Sequence, residues 1–160
     1  MEIYKYKEQS NVDFTGMDNS FFLIGILNEF MNRYQTVADH LFQEISWKQF
    51  FAMVCVKLFK EPPTLKEIAE LMGTSHQNAK QILLKLEKLE YLYFEKDETD
   101  KRKQRIFLAQ KAYELFKASD EASKEIVEKM YEGVSEKDIE TTINTIIKLD
   151  KNVKGLKEYL

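Results

Sequence analysis

The chain has 160 residues, 44% of them hydrophobic, with five glycines, two prolines and a formal net charge of −3. That apolar content supports a real core and excludes global disorder, and so few turn formers argue against a sandwich or barrel. One cysteine, Cys55, excludes an internal disulfide and a cysteine-based zinc cluster. No apolar run approaches 18 residues, so nothing reads as spanning a membrane. The opening 20 residues have no signal-type apolar stretch, which makes the cytoplasm the expected location.

Residues 1 to about 17 are polar and aromatic without a clear period and read as an arm. From about Ser20 to Leu41, Phe21, Ile24, Leu27, Phe30, Met31 and Tyr34 recur at helical spacing. Ser46 and Gln49 form a capping box that opens a second helix, with Trp47, Phe50, Phe51, Val54 and Leu58 as its apolar stripe. The two prolines of "KEPPT" end it. Thr64 and Glu67 form another capping box for a short third helix bearing Leu65, Ile68, Ala69 and Met72, and Gly73 stops it. Ser75 caps a fourth helix whose buried side is Ala79, Ile82, Leu83, Leu86 and Leu89. A short helix, a tight glycine turn and a longer helix make a helix-turn-helix.

"YLYFEKD" and "RIFLA" flank a turn-rich centre and read as a β-hairpin. A hairpin behind a helix-turn-helix is a winged helix. The helical period returns from about Gln110 in one long helix bearing Tyr113, Phe116, Ile126, Val127 and Met130. Ser135 and Asp138 then cap a last helix with Ile139, Ile143, Ile146, Ile147 and Leu149. The fold class is therefore mainly α, with a small hairpin wing inside an otherwise helical chain.

The exposed side of the fourth helix carries His76, Gln77, Asn78, Lys80 and Gln81 at its amino end. Amides bond adenine edges in pairs, and lysine reaches guanine or phosphate. Recognition helices present such residues from their first turns. An ordinary polar helix face is the plainer reading. In "DETDKRKQRI", Asp97, Asp100 and Arg102 are spaced D-x-x-D-x-R. A hairpin tip can push an arginine into the minor groove, where the negative potential is enhanced, and a neighbouring carboxylate can hold it in one pose. Lys101, Lys103 and Arg105 would supply phosphate contacts; a solvated turn is the alternative. From Ser75 to Arg105 eight basic residues face six acidic ones, a net of +2. From Tyr113 to Leu160 eight face eleven, a net of −3.

Residues 46 to 108 resemble the MarR family of bacterial winged-helix regulators. The resemblance is carried by "SWKQFFAMV", by "PTLKEIAELMGTSHQNAKQILLKLEKL" and by the wing tip "DETDKRK". It implies one MarR-like domain over 1–160, with DNA-binding elements at about 46–108 and dimerisation helices at about 10–41 and 110–160. It further implies a homodimeric transcription factor on a pseudo-palindromic double-stranded operator, usually a repressor relieved by a small-molecule effector or an oxidant. By position Ser75, His76, Gln77, Asn78, Lys80, Gln81 and Lys85 take the recognition-helix role. Arg102 takes that of the wing arginine, with Asp100 its orienting partner. The family often has glycine where Glu90 stands, a basic residue near Phe94, and "LT-x-x-G" where this chain has "LAQKA".

Phe22, Trp47, Phe50 and Phe51 are candidates to line an effector pocket, with core and dimer seam as their plainer role. Cys55 falls on the apolar side of its helix and reads as an inert thiol. His40 with Asp39 or Glu44 offers too few soft ligands for a metal. No phosphate loop, nucleophile elbow or paired-histidine motif is present, so an enzyme reading has no support and no cofactor is implied. Two rivals stand beside the DNA-binding reading: a winged-helix protein-interaction module that no longer binds DNA, and a redox switch working through Cys55.

Overall fold

The computed structural model describes residue 11 and residues 13–156. The arm expected over residues 1 to about 17 thus lies largely outside the described residues. The chain divides into two compact units, Met1–Lys117 and Ala118–Leu160. The division falls inside a helix.

In the first unit, α1 (Asn19–Asp39) is capped by the Asp18 side chain, which accepts from the Ser20 amide. Its apolar stripe does not enter the core: Phe22 and Ala38 are buried, whereas Phe21, Ile24, Phe30 and Met31 are exposed. Next, α2 (Trp47–Leu58) and α3 (Leu65–Leu71) each open with a complete reciprocal capping box, Ser46 with Gln49 and Thr64 with Glu67. Each cap is worth about 1 kcal/mol. The helix-turn-helix turn is made at Gly73, whose φ is 62°. There the Gly73 amide bonds Glu70 O and the Thr74 amide bonds Ala69 O, the paired closure of a Schellman turn that glycine adopts without strain.

Ser75 caps α4 (His76–Lys88) through the Asn78 amide. The helix ends in the same way as α3, with Glu90 bonded to Glu87 O and Tyr91 to Leu86 O. Here, however, the left-handed residue is Glu90, at φ 62°, and it is the one non-glycine with positive φ among the described residues. A Cβ in that region costs about 1 kcal/mol, offset by the buried contact that Tyr91 and Leu86 make with the core.

Antiparallel strands β1 (Leu92–Lys96) and β2 (Gln104–Leu108) form the hairpin, with Leu92 opposite Leu108, Phe94 opposite Ile106 and Glu95 opposite Arg105. One face sends Leu92, Phe94, Ile106 and Leu108 into the core. On the other face Tyr93 and Phe107 stack with ring centroids 5.4 Å apart. The core gathers Met53, Cys55 and Val56 of α2, Ile68 of α3, Ile82, Leu83 and Leu86 of α4, and the strand residues Leu92 and Ile106. Burying each large aliphatic side chain contributes roughly 1.5–3 kcal/mol. Helix α5 (Gln110–Met130) begins in this unit, where Phe116 meets Phe50 edge-on at 5.4 Å.

The second unit holds the rest of α5 and α6 (Glu136–Leu156). The expected Ser135–Asp138 cap is present in both directions, from the Ser135 amide to the Asp138 carboxylate and from the Asp138 amide to the Ser135 hydroxyl. No residue of α6 is buried, and Ile143, Ile146, Ile147, Val153 and Leu156 are exposed. Among the described residues no helix is long and apolar enough to cross a membrane. The architecture is a mainly α winged helix: six helices and a two-stranded hairpin among the described residues.

Candidate nucleic-acid interface

The amphipathic phase of α4 fixes which side chains are available. Ala79, Ile82, Leu83 and Leu86 are buried, so His76, Gln77, Asn78, Lys80, Gln81 and Lys85 all stand exposed on the opposite side. Ser75 is committed to the helix start, its hydroxyl accepting from the Asn78 amide at 3.2 Å. The Asn78 side chain is itself held, donating through Nδ2 to Thr74 Oγ1 at 2.7 Å. Thr74 lies before the helix, and sequence reasoning did not select it. The offset of four residues to Asn78 is the signal that could have found it.

The wing tip runs from Asp97 to Lys103. Its ends are tied by the Asp97 amide to Lys103 O at 3.0 Å and the Lys103 amide to Asp100 O at 2.8 Å. Asp97 Oδ1 accepts from the Thr99 amide (2.9 Å), the Thr99 hydroxyl (2.7 Å) and the Asp100 amide (2.9 Å). These bonds, the Thr99 hydroxyl first, and the Arg105 guanidinium hold the Asp97 carboxyl far below the usual carboxylate range. Asp100 grips Arg102 through Nε at 3.1 Å and Nη2 at 3.4 Å, which lowers the Asp100 pKa as well. The Arg102 side chain is 92% exposed, and Lys101 and Lys103 are exposed beside it.

Arg105 differs from the sequence expectation. Its side chain is half-buried, 32% exposed, and its guanidinium is engaged by neighbouring groups of the chain. Nε donates to Asp97 Oδ2, Nη1 donates to Pro62 O at 3.1 Å, and Glu67 lies 3.8 Å away. The reason is register: Arg105 sits beside Thr64 in an isolated antiparallel bridge, at the base of the wing and against the start of α3.

Between α4, the wing and the start of α3 lies a groove of about 370 Å³. Its floor is apolar, with Leu65, Leu84 and Phe94, and its rim carries Lys66, Lys80, Arg102 and Lys103 against the single carboxylate of Glu87. Lys66 escaped the sequence reading, since nothing local marks a lysine on the short α3 as facing the wing. The cations come from three separate elements and converge on one side, beside the exposed amide side chains of α4. A surface of that kind attracts a polyanion and offers hydrogen-bonding groups to it.

The four aromatic candidates for an effector pocket are divided. Phe50 stacks on Phe42 at 4.4 Å, and Trp47 packs against Tyr34, Phe50 and Phe51 at 5.0, 5.8 and 6.0 Å. These three join the core cluster. Phe22 is elsewhere, edge-on to Phe14 at 5.4 Å, in an open apolar cup of about 270 Å³ with Met17, Phe21 and Ile26. Cys55 is buried, and burial pushes its thiol up to about 11. The carboxylates near His40 have other partners: Asp39 accepts from the Trp47 amide, and Glu44 takes Tyr91 Oη at 2.7 Å and Lys111 Nζ at 2.8 Å. No group of three metal-binding side chains occurs among the described residues.

The model of the MarR family matches residues 58–103, which is the stretch from the end of α2 through the wing tip. Comparison with curated proteins gives no significant match. Among solved structures, a MarR/EmrR family transcriptional regulator from Acinetobacter sp. ADP1 is similar with a TM-score of 0.76. It is 15% identical over 87% of this chain and 99% of that one. Streptococcus pneumoniae FabT, solved in complex with DNA, has a TM-score of 0.63 at 20% identity over 86% and 99%. Staphylococcus aureus MarR, in complex with salicylate and kanamycin, has 0.69 at 18% over 89% and 95%. At these identities the structural likeness is one of fold. The family match and the neighbours agree on the MarR type of winged helix.

Proposed function

We propose that this chain, which matches the MarR family over its helix-turn-helix and wing and shares the fold of MarR regulators, is a sequence-specific DNA-binding transcriptional regulator. The observation that carries the reading is the convergence of Lys66, Lys80, Arg102 and Lys103 around one groove beside the exposed amides of α4. Phosphate contacts supply position and affinity, and amide contacts to base edges supply sequence preference. In this reading α4 enters the major groove while Arg102, held by Asp100, reaches the adjacent minor groove or backbone. The DNA complex of FabT, a protein of the same fold, lends support.

The working form is a homodimer on a pseudo-palindromic operator. Exposed Phe21, Ile24, Phe30 and Met31 on α1, and Ile143, Ile146, Ile147 and Val153 on α6, are apolar surface that a second copy would cover. Repression relieved by a small ligand is the mode of action; the salicylate and kanamycin bound to Staphylococcus aureus MarR are the analogy for an effector.

The test is fluorescence anisotropy with a duplex from upstream of the chain's own gene and a scrambled duplex, at several salt concentrations. The expected result is tighter binding to the upstream duplex and an affinity that falls steeply with salt. Salt-independent binding, or none to either duplex, leaves the protein-interaction module as the better reading.

A further inference from the structure

Resting on the DNA-binding reading above, we infer that Arg105 is a positioning residue for the wing. Together with Asp97 it links the start of α3 to the tip arginine Arg102 and holds that arginine ready before DNA arrives. The link is continuous. Pro62 O and the Glu67 carboxylate receive the Arg105 guanidinium at the foot of the wing. Glu67 is in turn fixed by the Thr64 amide and hydroxyl, both at 2.7 Å, in the capping box of α3. The Nε of Arg105 donates to one oxygen of Asp97. The other oxygen of Asp97 organises the turn by accepting from Thr99 and from the Asp100 amide. Asp100, so placed, accepts from the backbone amide and the guanidinium of Arg102.

The Thr64–Arg105 backbone bridge, which includes the bond from the Ile106 amide to Pro63 O at 2.9 Å, braces the same foot. The tip is a seven-residue stretch with three consecutive charged residues, Lys101 to Lys103, that repel one another. Without an internal anchor it would populate many conformations and lose entropy on binding. Asp97, 7% exposed, is that anchor, and Arg105 is the group that compensates its buried charge. The planar fork of arginine suits this place because it serves Asp97 and Pro62 O at once, which an ammonium cannot do in the same geometry.

Two measurements on the full chain test the inference. The first is trypsin cleavage after Lys101, Arg102 and Lys103 in the protein without DNA. Arg105→Gln and Asp97→Asn should each raise cleavage at the tip severalfold over wild type, with cleavage elsewhere unchanged, and Arg105→Lys should give partial protection. The second is duplex affinity in a double-mutant cycle. Arg105→Gln should weaken binding roughly three- to tenfold, the loss expected when a charge-assisted contact is no longer held in place. In the Arg102→Ala background it should have no further effect on affinity or salt slope. Unchanged tip cleavage in both variants overturns the inference. So does an additive loss in the Arg102→Ala background, which would make Arg105 a direct phosphate contact. If wild type binds no duplex, the DNA-binding reading fails by itself and the cleavage result still decides whether Arg105 orders the wing.

Discussion

Arg102 and Asp100 face each other across two hydrogen bonds, Nε to Oδ1 at 3.1 Å and Nη2 to Oδ2 at 3.4 Å, at the tip of the wing. An arginine so exposed gains little stability from an ion pair. Its value is conformational, because the guanidinium is fixed in one plane and its remaining donors face outward. Arg102→Ala should therefore leave thermal stability unchanged and weaken binding to operator and scrambled duplexes alike. The salt slope should shrink by roughly one unit, as for the loss of one phosphate-like contact. Anisotropy at several salt concentrations reads both effects. Wild-type affinity with an unchanged slope would reduce the wing to a solvated turn.

Glu90 occupies the left-handed position that ends α4, where Gly73 does the same work for α3 without strain. Glu90→Gly should stabilise the protein by up to about 0.5 kcal/mol, the relief of Cβ strain less the added freedom of the unfolded chain. The midpoint of thermal unfolding should then rise by roughly 1 °C. Glu90→Ala keeps the Cβ and should give no such gain. Calorimetry on the two variants separates them, and equal midpoints would show that the turn carries no strain.

The contrast between those two turns shows what could be read in the sequence. Caps joining residues three apart were legible: Ser46 with Gln49, Thr64 with Glu67, Ser135 with Asp138. Each needs only local geometry and the right pair of side chains. The aromatic and branched residues on either side of a turn-rich centre, in Leu92–Lys96 and Gln104–Leu108, likewise announced a hairpin. What stayed hidden depends on distant register. Arg105 looked like one more cation of a basic run, yet its partner Pro62 O lies 43 residues away. Lys66 joins the groove only because α3 packs beside the wing. Phe22 was grouped with Trp47, Phe50 and Phe51 by aromatic character, but its neighbour is Phe14. The apolar stripe of α1 was visible as a stripe, while its exposure was not, since periodicity marks a face and does not say what covers it.

Cys55 should be silent toward oxidants. Burial raises its thiol to about 11, so at pH 8 the thiolate is on the order of one part in a thousand. Iodoacetamide should label it only as fast as the protein opens, and full labelling should appear in denaturant. Hydrogen peroxide should leave DNA binding intact in wild type and Cys55→Ser alike. Release from the wild type alone would make the redox reading the correct one.

Tyr91 should titrate late. Its hydroxyl donates to Glu44 at 2.7 Å in a largely buried site, and its pKa is raised to about 12, burial first and the Glu44 bond second. Because the folded value lies above the unfolded one, near 10, the contribution of this group is complete below pH 10. It is lost as pH rises through 12. Ultraviolet absorbance of tyrosinate followed against pH should show a late component that Tyr91→Phe removes. If the titration curve keeps its late component in Tyr91→Phe, the Glu44–Tyr91 bond is not what holds the proton.

Asn78 and Gln77 should govern which duplex is preferred. Both are exposed in the first turn of α4, and the Asn78 amide is held by Thr74 Oγ1 at 2.7 Å, which limits the orientations it can take. Contacts of an amide with a base edge discriminate by about 1–3 kcal/mol at one base pair. Gln77→Ala or Asn78→Ala should accordingly flatten the preference for operator over single-base variants while barely changing affinity for scrambled DNA. Thr74→Val, which keeps the shape and removes the hydroxyl, should flatten it at the position read by Asn78, and Thr74→Ser should restore it. Anisotropy against a panel of duplexes carrying every single-base change in one half-site resolves these patterns. A uniform loss across the panel for Asn78→Ala would mean that it positions the helix on the backbone and reads no base.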